Sequence, residues 1–111
     1  MIYIIRERAT KQQLQEMMEM LETYVKLAVD VEREILAGGG AMHADCEAVL
    51  LEDGSQQEFI WGADWNPESQ EVTFESLINI RPRQNNRSLE LQDPNLRAEV
   101  EKVARNLLGN V

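Results

Sequence analysis

The sequence predicts an α+β fold: an antiparallel meander of four to five strands with two helices on one face. Three observations carry that reading. Apolar residues recur at helical spacing near both ends of the chain. Between them the hydrophobic period shortens to two. The segments of that middle stretch are joined by short connections, which favours antiparallel neighbours and leaves the helices to share one side of the sheet.

Each element has its own signal. Met1 to Ile5 reads as a short strand. Thr10 and Gln13 form a capping box, and Leu14, Met17, Met18 and Leu21 follow at helical spacing, so a helix is expected from about 11 to 24. From Val25 the period is two: Val25, Leu27, Val29 and Val31 alternate with Lys26, Ala28, Asp30 and Glu32, a half-buried strand running towards Leu36. Gly38-Gly39-Gly40 turns the chain, and Ala44 to Leu51 reads as the next strand. Asp53-Gly54 is a hairpin signal leading to a strand from Gln57 to Trp61, with Cys46 opposite Trp61 and Ala48 opposite Phe59. A polar loop from Ala63 to Glu71 precedes a strand from Val72 to Ile80. Asp93 caps a last helix with Pro94 at its first position, an apolar stripe of Leu96, Val100, Val103, Ala104, Leu107 and Leu108, and Gly109 at its end. The order is β-α-β-β-β-β-α.

The 111 residues make a single domain, 1–111, with no repeat, linker or composition shift to divide it. No apolar run approaches the ~18 residues of a membrane helix, and the first residues lack the basic start of a secretory signal. A membrane partner is therefore not expected. One cysteine cannot form an internal disulfide, which fits a cytoplasmic location. A net charge of -9 repels phosphate, so nucleic acid is not an expected partner either. The charge is uneven: residues 81–87 carry three Arg and no acid.

The candidate site follows from strand parity. In a strand, His43, Asp45 and Glu47 share one face while Ala44, Cys46 and Ala48 share the other. The same polar face gathers Asp30, Glu75, Asn79 and Arg81, and it is solvated, closed by a second subunit, or a ligand surface. As an acid/base site, His43 acts as base, Asp45 orients it and Glu47 serves as acid/base. No nucleophile motif accompanies them, and Cys46 points into the apolar side. As a metal site, adjacent members of the trio lie about 6.5–7 Å apart, with Asp30 or Asp64 as a third ligand; the spacing is a weak motif. As an anion site, Asn79 and Arg81 lead into a loop with Asn85, Asn86 and Arg87. The competing reading pairs Arg81 with Glu47 or Glu75. Trp65, placed in a loop, reads as a contact anchor or lid. The three glycines are not a Walker-type loop, because no Gly-Lys-Ser/Thr follows and they lead into a strand.

Val29-Asp30, His43-Ala44-Asp45-x-Glu47, Gly54-Ser55, Trp61-Gly62 with Pro67, and Ser76-Leu77-Ile78-Asn79-Ile80-Arg81-Pro82 with Asn86 resemble an uncharacterised family of short bacterial and cyanobacterial proteins, a domain of unknown function. The likeness covers most of residues 25–90. It implies a similar single domain and supplies no chemistry. The expectation from sequence is a cytoplasmic binding protein, a homodimer, that uses His43, Asp45, Glu47, Asn79 and Arg81 with the Arg/Asn loop to hold an anionic small molecule or a protein partner. The alternative is a small hydrolase or isomerase with a His/carboxylate site, with or without a metal. No cofactor is named by the residues.

Overall fold

Val25, Leu27 and Val29 leave no surface to solvent, and neither does Ala28 between them, so their strand is covered on both faces. It is the middle of a five-stranded antiparallel sheet in the computed structural model, which describes residues 1–111. The elements are β1 (Tyr3–Ile5), α1 (Lys11–Met17), β2 (Val25–Asp30), β3 (Ile35–Gly38), α2 (His43–Glu52), β4 (Ile60–Asn66), β5 (Glu71–Thr73) and α3 (Pro94–Leu108). Single 3₁₀ turns lie at Gln57–Phe59, Leu77–Asn79 and Pro82–Gln84. The strand order is β1-β3-β2-β4-β5.

The α+β class, the antiparallel sheet and the capped last helix are as the sequence predicts. Odd-numbered residues of β2 and β4 pack with Leu14 and Met17 of α1 and with Val100, Val103, Ala104, Leu107 and Leu108 of α3. The opposite face is not open. There Ala28, Ile35, Ala37 and Ile60 pack against Cys46 and Leu50 of α2. The chain covers its own second face, which removes the reason for bringing a second subunit there.

The main correction concerns residues 44–51, which form a helix rather than a strand. Ala44, Glu47, Ala48, Leu50 and Leu51 are good helix formers, and only Val49 is β-branched. Buried Cys46 and Leu50 are spaced by four, while Ala44 and Ala48 are exposed. The alternation that suggested a strand came from small residues with no packing role. Asp53-Gly54 is accordingly a helix end and not a hairpin. Gly54 has φ +101, its N–H reaches the Leu51 carbonyl at 3.1 Å, and the Ser55 N–H reaches that of Leu50 at 2.9 Å. That pair of bonds is a Schellman cap, which needs the left-handed conformation glycine tolerates.

Four boundaries also move. The strand expected to reach Leu36 breaks at Asp30, whose Oδ1 accepts from the N–H groups of Glu32 and Arg33 at 2.9 and 3.0 Å; β3 then returns antiparallel. The expected loop from Ala63 to Glu71 is the β4–β5 hairpin. The expected strand from Val72 to Ile80 stops at Thr73, because Ser76 caps the Leu77–Asn79 turn. The first helix ends at Met17, and Glu22 beyond it is left-handed, with φ 66.

Candidate functional site

Helix periodicity rearranges the expected trio. Residues four apart share a helix face, and residues two apart lie on nearly opposite sides. His43 and Glu47 therefore face the sheet, and Asp45 points to solvent on the far side. The partner of His43 is Asp64 on β4. His43 Nε2 lies 2.7 Å from Asp64 Oδ1 and 3.1 Å from the Ala63 carbonyl oxygen. Both neighbours are acceptors, so the geometry assigns the proton to Nε2, which donates. Nδ1 has no hydrogen-bond partner in the protein and is not sealed from solvent.

His43 lies on the wall of a cleft of ≈ 350 Å³, shared with Met42 and Ala44 at the start of α2, Lys26 on β2, Asp64 on β4, and the 75–78 segment with Leu89. Lys26 and Asp64 are register partners on neighbouring strands. Their side chains form no ion pair, and neither Lys26 nor Glu75 has an ionic partner within the protein. Met42, the N-cap of α2, offers no side-chain acceptor to the first-turn N–H groups. These groups carry the positive end of the helix dipole towards the same cleft.

The other expected site residues are spent internally. Glu47 Oε2 meets Arg81 at 3.3 Å, which selects Glu47 over Glu75 as the arginine's partner. Arg81 also donates from Nε to the Ile78 carbonyl at 2.9 Å and from its terminal nitrogens to those of Gln57 and Ile60 at 2.7 and 2.5 Å. Its guanidinium stacks 4.4 Å from the Trp61 ring. Burial pulls Arg81 below its ordinary pKa, and the Glu47 carboxylate opposes that shift.

Asn79 is fully buried, and its side-chain amide exchanges two hydrogen bonds with Gly62, accepting from the N–H at 2.8 Å and donating to the C=O at 3.0 Å. A strand residue opposite Gly62 would make the same pair. Gly62 admits the segment so closely that a Cβ there would sit 2.5 Å from Ser76. Asn86 is also buried; its amide donates to the Asn79 and Ser88 carbonyls and its Oδ1 accepts from the Gln92 N–H. Asp30 is the turn residue described above, buried to 1% exposure, with Oδ2 unpartnered. Trp65 is no surface anchor: it lies in β4, fully buried in the larger core. Cys46 is buried as expected, and burial pushes its thiol up. No three His, Cys, Asp or Glu side chains come together to hold a metal ion, so the spacing of His43 and Asp45 builds no such centre.

Sequence reasoning missed Lys26 as a site residue. Its signal was its place among the polar alternate positions of β2, but a lone lysine there reads first as a solvated face. Asp64 was visible only as a possible third metal ligand, because its contact with His43 needs α2 to be a helix.

Residues 3–107 match the family described as "Protein of unknown function (DUF5674)", and the chain belongs to that family. Neither a curated protein nor a solved structure matches it. No helix is long and apolar enough to cross a membrane.

Proposed function

We propose that the domain is a binding protein of the cytoplasm whose cleft at the start of α2 takes a small molecule through an anionic oxygen group, such as a carboxylate or phosphate. The observation that carries this reading is that Lys26, which has no ionic partner in the protein, lines the same concave site as His43, half of whose lining is apolar. Clefts of this kind, near the lower end of the ligand-pocket range, hold small metabolites. The uncapped first turn of α2 adds N–H donors on the same side. Arg81 and Asn79 hold the segment that lines the cleft through the Ile78 and Phe74 carbonyls, and Asn86 holds Asn79 in turn. Isothermal titration with carboxylates and phosphates tests the reading. A binding anion should lose at least about tenfold in affinity in Lys26→Met, as expected when a charge-assisted bond is removed. An anion that binds the variant as tightly as the parent protein would place the site elsewhere.

A second reading, that of a small hydrolase or isomerase, is favoured by one observation. Asp64 holds the Nε2–H of His43 and leaves Nδ1 without a partner in the protein, which is half of a carboxylate–imidazole catalytic couple. Here Asp64 takes the orienting role first given to Asp45. If His43 abstracts a proton from carbon, a bound ligand will exchange that hydrogen with deuterated water, and His43→Gln will stop the exchange. A ligand that binds yet never exchanges leaves binding as the activity.

A further inference from the structure

The cleft holds two side chains of opposite charge, and neither has a partner. Lys26 lies on β2 and Glu75 on the segment that follows β5. Asp64, the third charged group, is engaged by His43 at 2.7 Å. Counted as formal charges with a neutral imidazole, the cleft is net negative on a protein of net charge -9. A plain anion would satisfy Lys26 and still meet that field. A plain cation would satisfy Glu75 and face the lysine. Met42, Leu77 and Leu89 at the rim are large apolar side chains exposed by 52%, 68% and 38%, and Ile78 lies beside them. Such groups held in water around a concave site mark a contact for an apolar body.

We infer that the ligand is a zwitterion with an apolar side chain, that is, an apolar α-amino acid: carboxylate towards Lys26, ammonium towards Glu75, side chain against Met42, Leu77 and Leu89. The inference rests on the anion-binding reading of the cleft and adds the rest of the molecule. A neutral zwitterion pays no net penalty in the acidic field and pairs both charges that lack a partner in the protein. The two ionic groups of an amino acid are separated by one carbon, which leaves its side chain free to lie along the rim.

Titration of the full chain with leucine, 4-methylpentanoate and 3-methylbutylamine tests it, since the last two each lack one ionic group. Leucine should bind at least about tenfold more tightly than either, the expected worth of one charge-assisted bond. Glu75→Gln should bring leucine down to the level of 4-methylpentanoate without weakening the latter, and serine should bind more weakly than leucine. If 4-methylpentanoate binds as well as leucine, the zwitterion is wrong and the anion cleft stands. If serine matches leucine, the apolar rim plays no part and the inference fails. If Lys26→Met changes nothing, or if no carboxylate or phosphate binds at all, the inference falls together with the reading beneath it. Glu75 is exposed, so the Gln variant should fold, and a matching far-ultraviolet spectrum checks that it does.

Discussion

Every nitrogen of the Arg81 guanidinium donates, to three backbone carbonyls, Glu47 and Gln84, and one face lies over the Trp61 ring. Its side chain is only 11% exposed and that of Glu47 13%, so truncating one strands the other. Arg81→Ala should cost about 3 kcal/mol in urea unfolding. Arg81→Lys should recover less than half of that, because an ammonium cannot reproduce a planar fork. A loss below about 1 kcal/mol would mean the contacts are those of an exposed pair. Asp53 couples stability to acid. Arg6 and Arg33 hold its carboxylate at about 2, against an ordinary 3.8. A depressed folded-state value gives stability that is present above pH 3.8 and disappears as the pH falls through about 2. Asp53→Asn should therefore melt lower than the parent protein at pH 6, and the two melting curves should converge near pH 2.

At the scale of elements, α2 sets the site, and its end is written in one glycine. No heavy atom lies within 4 Å of the position a Gly54 Cβ would take, so Gly54→Ala tests backbone strain alone. It should cost about 1 kcal/mol. A neutral result would show that the Schellman turn relaxes. The same helix explains what could be read in the sequence and what could not. The α3 cap and the existence of β2 follow from local chemistry and were legible, although β2 was expected half-buried and is covered on both faces. Cys46 is buried as expected, but through helical spacing and not the strand parity that suggested it. Residues 43–51 were not legible: three ionisable residues alternating with three small ones fit period two as well as period 3.6, so helix propensity over 44–51 and the burial of Cys46 and Leu50, rather than the pattern, separate the two. Once the parity is helical, Asp45 leaves the site and Asp64 enters it. Asn79 and Asn86 were visible as polar residues, but nothing local says that a buried amide will serve the backbone.

For the whole molecule, the two sides of the sheet are unequal. Eighteen buried residues form the core under α1 and α3, and six form the one under α2. Less apolar area holds α2, so it should open at lower free energy than the sheet. Hydrogen exchange should show the amides of residues 46–52 exchanging faster than those of β2 and the first half of β4. A ligand in the cleft should slow that helix selectively, since it would bridge α2 to β2 and to the 75–78 segment. Equal protection in both places would mean the small core is no weaker than the large one.

One consequence belongs to the amide of Asn79. β5 pairs only with Asp64, Trp65 and Asn66, which leaves the first half of β4 with a flank facing away from β2. The Asn79 side chain closes that flank at Gly62, as a cork rather than as another strand. Asn79→Ala would leave the Gly62 N–H and C=O unpaired on that flank, and unpaired strand borders recruit foreign chains into fibrils. Thioflavin fluorescence rising in that variant and not in the parent protein would mark this asparagine as a guard against self-assembly.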